Sequence, residues 1–158
     1  MRLERERAAA AIGNLETIFQ QLVASLMPRG CSGKMWLDGN GLHPEILLDR
    51  GIGLSTAAVE SFKIVAFDLA AMILSANGNA SIPSFLIHDS PREADLDADI
   101  YSNLFDFVLS LEEKSSPPPF QYIVTTTTAP SQQALAHEAM RLQLSSTPPE
   151  ARLFAMDF

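Results

Sequence analysis

The stretch FLIHDSP, residues 85–91, is the part of this sequence that says most about its fold. Its first four residues form a short, mostly apolar run, and its last three are typical turn formers. Segments with helical periodicity lie on both sides of it, at residues 55–75 and 97–114. A short apolar strand between two helices is typical of a parallel sheet that helices cover, so the stretch predicts an α/β fold.

The helix at 55–75 is predicted to be buried on most sides. Ser55 suits its N-cap, because a serine hydroxyl accepts a hydrogen bond from an N–H group of the first turn. Apolar residues follow at helical spacing, and others lie off this stripe. We therefore expect this helix at the centre of the molecule. The stripe consists of Val59, Phe62, Ala66, Leu69 and Ile73.

The N-terminal segment, residues 1–29, is predicted to be one long helix that ends near Pro28. Its second half has apolar residues at helical spacing, but its first turns are charged and alanine-rich. We expect that beginning to stand in solvent or to pack against a helix outside this chain. Residues 30–158 are predicted to form the α/β region, which starts with a β-hairpin at 34–48 around a glycine-rich turn.

A second strand of the parallel sheet is predicted at residues 121–128, QYIVTTTT. β-Branched residues dominate this segment, and a proline-rich connector precedes it. A short helix at 131–137 and an extended segment at 141–144 are expected to follow. Trp36 and Phe85 are expected in the core, because large aromatic side chains are mostly buried.

Composition excludes several classes of protein. A chain of 158 residues with 47% hydrophobic and 19% charged residues predicts one folded domain and not a disordered segment. The net charge of −8 opposes broad binding to nucleic acid or to an anionic membrane surface. The single cysteine excludes an internal disulfide, and neither a signal peptide nor a membrane-spanning stretch is present in the sequence. We expect a cytoplasmic protein without membrane contact.

Polar residues end both predicted strands, at Asp89-Ser90 and at 125–128. Ligands bind beyond the carboxyl ends of the strands in open α/β sheets, so both places are candidate ligand positions. A carboxylate at the end of an apolar strand needs a cation or hydrogen-bond donors, and Mg²⁺ meets this need. The alternative is that Asp89 only caps a turn. The histidines lack metal spacing, and His88 is expected to be a hydrogen-bonded core residue.

The order of four motifs resembles the C-terminal lobe of an ABC-type ATPase head. The motifs are LSTAA at 54–58, FLIHDSP at 85–91, Leu96-Asp97 and QYIVTTT at 121–127. The pattern is most similar to the coiled-coil ATPases of DNA maintenance, the structural-maintenance-of-chromosomes (SMC) family and its double-strand-break-repair relatives. The resemblance implies a mostly parallel sheet flanked by helices. It also implies an N-terminal helix that continues from a coiled coil.

The resemblance implies roles for residues at the start of the buried helix and at the end of the first strand. Ser55 stands at the signature serine, which binds the γ-phosphate held by the opposite subunit, while Thr56 and Ala57 replace the signature glycines. Asp89 matches the Walker B aspartate that holds Mg²⁺. Ser90 stands where the family has a catalytic glutamate. Because a serine is not a base at neutral pH, hydrolysis is expected to be slow, to use Glu93, or to be absent.

Two further motifs match by position. Leu96-Asp97 resembles the D-loop, which crosses the dimer interface in the family. Thr127 stands at the switch histidine, next to Thr126, and a threonine hydroxyl can hydrogen-bond a γ-phosphate but cannot carry its proton as imidazole does. The alternative is a strand end rich in threonine for β-propensity alone.

The sequence contains no P-loop motif, so the resemblance implies an N-terminal P-loop lobe in the same or another chain. ATP and Mg²⁺ are the implied cofactors, a head-to-head dimer is the implied assembly, and DNA contact is expected mainly through other regions. Whether the completed head is an efficient ATPase stays open. The alternatives are a nucleotide-gated structural module with little or no hydrolysis and an interaction domain that has lost nucleotide.

Overall fold

The structure, a computed structural model, describes residues 2–91, 96–145 and 147–151. Helices and strands follow one another in the predicted order, and a short 3₁₀ turn at Pro149–Ala151 ends the described chain. The elements are α1 (Arg2–Leu26), β1 (Cys31–Asp38), β2 (Gly41–Leu48), α2 (Thr56–Ala76), β3 (Phe85–Asp89), α3 (Ala98–Glu113), β4 (Gln121–Thr125) and α4 (Gln132–Ala136).

Strands β1 and β2 form the predicted antiparallel hairpin, in full register from Cys31 opposite Leu48 to Asp38 opposite Gly41. The inner face of the hairpin packs on α1, where Gly33 lies against the ring of Phe19. A Cβ atom at this glycine would lie 2.9 Å from Phe19 Cδ1, so only glycine allows the strand to approach the helix this closely.

Strands β3 and β4 are parallel, with Phe85 opposite Gln121 and Asp89 opposite Thr125. β4 is shorter than the predicted strand 121–128, because the chain leaves the sheet after Thr125. Within the described residues, no third strand joins this sheet. The expected mostly parallel sheet is therefore only two-stranded here, the hairpin is separate from it, and the extended segment at 141–144 pairs with neither sheet.

One face of the parallel pair packs towards the helices, and the other is exposed. The exposed face carries Phe85, Ile87 and Ile123, whose side chains are 53%, 53% and 38% exposed. We call these three residues the open sheet face. They show the period of two expected of a strand with one covered side.

The core lies between the helices and the inner face of the hairpin. Ser55 caps α2 as predicted, since the Ala58 N–H donates to Ser55 Oγ at 3.0 Å. α2 is the central helix, with nine buried residues along its length. The side chains in the middle of the core are fully buried: Phe19, Leu22 and Leu26 of α1, Phe62, Ala66 and Leu69 of α2, and Ile100 and Leu104 of α3.

Two aromatic residues expected in the core lie on the surface. Trp36 is 45% exposed on the outer face of the hairpin, where it stacks on His43 with 5.6 Å between ring centroids. Phe85 belongs to the open sheet face. Both predictions were wrong for one reason, which is that each strand pair has a covering layer on one side only.

The beginning of α1 behaves as its composition predicts. Glu6 and the alanines at 8–10 are exposed, whereas Leu15 and the residues that continue its stripe are buried. Among the described helices, none combines the length and the apolar character needed to cross a bilayer.

Candidate functional site

The candidate site is centred on the carboxyl ends of β3 and β4. Because Asp89 and Thr125 are partners in the parallel register, their side chains project from the same face of the sheet. Thr125 Oγ1 donates a hydrogen bond to Asp89 Oδ1, and Ser90 Oγ donates to the same oxygen at 3.3 Å. Two hydroxyl groups thus hold one oxygen of an exposed carboxylate.

Ser90 turns the chain directly after β3. Its φ of 48° lies in the left-handed region, which is uncommon for residues other than glycine, asparagine and aspartate. Its N–H donates to the Thr125 carbonyl at 2.9 Å and lies 3.3 Å from Thr125 Oγ1. Ser90, which the resemblance aligns with a catalytic glutamate, is therefore hydrogen-bonded to both Asp89 and Thr125.

The loop after β4 is held by Tyr101 of α3. The Tyr101 hydroxyl lies 2.9 Å from Thr126 Oγ1 and 3.1 Å from the Thr128 carbonyl. The Thr128 N–H donates to Thr126 Oγ1 at 3.1 Å, so the Thr126 hydroxyl builds the turn, while Thr127 between them is exposed. A shallow cavity of about 290 Å³ lies beside this loop, lined by the start of α3 and residues 128–132.

Ser55 and Thr56 are exposed at the start of α2, far from Asp89. Asp68 of the same helix contacts His88, the neighbour of Asp89. Ser55 precedes Asp68 by 13 residues, so at 1.5 Å per residue it lies about 20 Å from Asp68 along the helix axis. Ser55 and Asp89 of one chain therefore do not reach the same phosphate group.

The remaining predicted site residues lie around the start of α3. Leu96 is fully buried in the core. Asp97 caps α3, because its carboxylate accepts hydrogen bonds from the N–H groups of Asp99 at 2.9 Å and Ile100 at 3.4 Å. Glu93 lies outside the described residues.

A cluster of hydrogen-bonded polar side chains on the covered face of the parallel pair was not among the predicted sites. His88 is hydrogen-bonded as expected, and its partners are Asp68 and Tyr122: Nε2 lies 3.1 Å from Asp68 Oδ2, and Nδ1 lies 2.7 Å from the Tyr122 hydroxyl. Burial, with smaller contributions from Tyr101 and Asp68, raises the pKa of Tyr122 well above its usual range, so this hydroxyl stays protonated. The signal in the sequence was a polar residue inside each of two apolar segments, Asp68 in the helix and His88 in the strand.

Residues 48–158 match a family described as an uncharacterised protein conserved in bacteria (DUF2326). The chain belongs to this DUF2326 family. The matched segment contains α2, both parallel strands and every predicted site residue. None of the curated proteins matches the sequence.

The DUF2326 chain is similar to a solved SMC ATPase, from a study of ATP-driven dimerization and DNA stimulated activation of these enzymes. The similarity covers 75% of this chain and 70% of that chain, with a TM-score of 0.53 and 21% sequence identity. The DUF2326 chain therefore has an SMC ATPase-like α/β fold.

The donors at the DUF2326 site fit one way of binding Mg²⁺. This ion often takes one or two protein carboxylates together with water and the phosphates of a nucleotide. Asp89 supplies such a carboxylate at the surface. In the part of the chain that the structure describes, no group of three or more metal-binding side chains occurs, so an all-protein metal cage is not available there.

Proposed function

We propose that this DUF2326 chain is the C-terminal lobe of an SMC-like ATP-binding head, which dimerises around ATP and Mg²⁺ to drive conformational change on DNA. The observation that carries the proposal is the Asp89–Thr125 pair at the carboxyl ends of adjacent parallel strands. Ligands bind at this edge in open α/β sheets, and the fold is similar to that of an SMC ATPase.

The open sheet face supports a lobe that completes the sheet. Parallel sheets are normally covered on both faces, and a pair of strands alone is smaller than a stable parallel sheet. Here Ile87 and Ile123 lie exposed next to Asp89 and Thr125. We propose that a P-loop lobe, from the same or another chain, covers this face and brings the phosphates to Asp89.

Asp89 would hold Mg²⁺ at this edge of the sheet. When bound, Mg²⁺ neutralises negative charge on the phosphate oxygens. The hydroxyl of Thr127, a residue that is exposed on the loop after β4, would donate to the γ-phosphate, while Thr126 shapes that loop through Tyr101. Ser90 cannot take a proton from the attacking water, so turnover depends on Glu93 or is slow.

The distance between Ser55 and Asp89 supports a head-to-head dimer. Since the two residues do not reach one phosphate within a chain, the exposed start of α2, with Ser55 and Thr56, would contact the nucleotide held by the other head. N–H groups at a helix start and the helix dipole favour an anion there. Leu96-Asp97 would lie near this interface. With a net charge of −8, the lobe itself is a poor DNA ligand, so DNA would bind mainly through other regions.

The proposal is tested with Asp89→Ala in the head completed by its P-loop lobe. Loss of the carboxylate is expected to abolish Mg²⁺-dependent ATP binding or turnover, measured by calorimetry and phosphate release. Asp38→Ala is the matched control, because Asp38 is an exposed carboxylate on the hairpin, away from the parallel strands. Unchanged turnover in Asp89→Ala would contradict the role of Asp89.

The geometry of Ser90 favours a second candidate function, a nucleotide-gated structural module with little or no hydrolysis. Its side chain is directed to Asp89 and presents no carboxylate to a water molecule. Ser90→Glu is expected to raise a near-zero hydrolysis rate, and Ser90→Gln, which has the same size without the carboxylate, is expected not to. If the wild-type head already hydrolyses ATP well, this second candidate is wrong.

A further inference from the structure

We propose that Thr125 is a positioning residue that orients Asp89 for the cation. This inference rests on the proposed function. Among the described residues, the hydroxyl groups of Thr125 and Ser90 both donate to Asp89 Oδ1. These two contacts fix the rotation of the carboxyl group, and we assign the other oxygen, Oδ2, to the cation.

Thr125 is suited to this role because its own side chain is fixed. A β-branched residue in a strand has few χ1 rotamers, so the backbone of β4 determines where Oγ1 lies. Thr125 Oγ1 can also accept a hydrogen bond from the Ser90 N–H, with 3.3 Å between Oγ1 and the nitrogen. The proton of the Thr125 hydroxyl is then directed to Asp89. The parallel register holds the two residues opposite each other.

The contact gains importance when the sheet is covered. Asp89 and Thr125 are exposed in this chain, and exposed hydrogen bonds compete with water. They share a face with Ile87 and Ile123, which the proposed P-loop lobe would bury. Removal of water strengthens a hydrogen bond to a carboxylate, so the pair becomes rigid where the phosphates arrive. Loss of a partner that orients a metal-binding carboxylate in this way commonly weakens metal affinity by about 10- to 100-fold.

Thr125 contributes more than Ser90 to this orientation. The Ser90 hydroxyl lies 3.3 Å from Oδ1, which is long for a hydrogen bond between two oxygen atoms, and it comes from the adjacent residue in the same turn. Thr125 belongs to a different strand, so its contact also ties the carboxylate to the position of β4. We therefore expect loss of the Thr125 hydroxyl to have the larger effect on cation binding.

The test measures Mn²⁺ binding to the completed head with a non-hydrolysable ATP analogue, by the electron paramagnetic resonance signal of free Mn²⁺. Thr125→Val removes the hydroxyl and keeps the β-branched shape, so it preserves the strand. It is expected to weaken Mn²⁺ affinity by about tenfold. Thr125→Ser restores the hydroxyl and is expected to bind within about twofold of wild type. Thr17→Val, on an exposed part of α1, is the matched control and is expected to bind as wild type does.

The outcomes separate this inference from the proposed function. If Asp89→Ala loses Mn²⁺ and Thr125→Val binds it as wild type does, Thr125 does not position Asp89 and the proposed function stands. If Thr125→Ser binds as weakly as Thr125→Val, the hydroxyl is not the cause and the inference is wrong. If Asp89→Ala itself binds Mn²⁺ normally, the proposed function fails.

Discussion

The two strand pairs of this molecule differ in how they are completed. The hairpin β1–β2 closes through a two-residue connection, and α1 covers its inner face. The parallel pair β3–β4 is joined through α3, packs towards helices on one face and leaves Phe85, Ile87 and Ile123 exposed on the other. The hydrogen-bonded group of Asp89, Ser90 and Thr125 lies at the end of this second pair.

This difference is the basis for our proposal that a partner covers the parallel pair and not the hairpin. Antiparallel sheets commonly have one face in solvent, so the hairpin, with Trp36 and His43 outside, is complete as it stands. A parallel pair with an apolar open face is not complete by the same rule. The candidate site residue Asp89 thus lies beside the face that we propose a P-loop lobe covers.

Disruption of the packing between the hairpin and α1 is expected to lower the stability of the chain most. Gly33→Ala places a Cβ atom 2.9 Å from Phe19 Cδ1 and 3.1 Å from Val23 Cγ2, so the strand must move away from α1. We expect the free energy of unfolding to fall by about 2 kcal/mol. Gly39→Ala is the control, because nothing lies within 4 Å of a Cβ atom there. Urea denaturation of both variants checks this, and equal stabilities would contradict the close contact.

A smaller loss of stability is expected from a change on the covered face of the parallel pair. Tyr122→Phe removes the partner of His88 Nδ1, and loss of this hydrogen bond is expected to cost about 1 kcal/mol. The replacement also changes the pH dependence of stability. Burial raises the pKa of Tyr122 above its usual 10.0, so the folded state keeps the proton longer than the unfolded state. The stability of wild type therefore falls as pH rises above about 10.

The measurement is the difference between wild type and Tyr122→Phe in the free energy of unfolding, from pH 8 upward. Phenylalanine does not titrate, so the variant is expected to lose less stability than wild type in the alkaline range, and the two curves should converge. Parallel curves above pH 10 would show that the buried hydroxyl does not carry this dependence.

The hairpin, the helices and both parallel strands were predictable because each is encoded by a local pattern of apolar and turn residues. The exposure of Trp36 and Phe85 was not. The period of a strand shows that one face is apolar, but not whether another layer covers it. The aromatic content of a strand is therefore a poor guide to burial when the sheet is small.

The sequence predicts Asp89 and Ser90 as site residues, and their roles stay predictions, whereas the hydrogen bond from Thr125 to Asp89 was not predicted. Thr125 is 36 residues away from Asp89, and their contact follows from the register of two parallel strands, which no local pattern gives. The same is true of Asp68, His88 and Tyr122, which meet from three elements. Ser55 was correctly predicted as an N-cap, and its role towards a nucleotide stays a prediction.

Ile87→Thr is expected to have the smallest effect on stability, and it also tests whether the open sheet face binds a partner. Threonine keeps the β-branched shape, and the side chain it replaces is 53% exposed, so the chain alone should lose no more than about 0.5 kcal/mol. If the open sheet face binds the P-loop lobe, the same change should weaken that association by about tenfold, because apolar area is lost at the centre of the contact. Ile64→Thr is the control, since Ile64 is 60% exposed on α2. Calorimetric titration of each variant with the lobe separates the two surfaces: equal weakening would mean that the parallel pair is not the face that the partner completes.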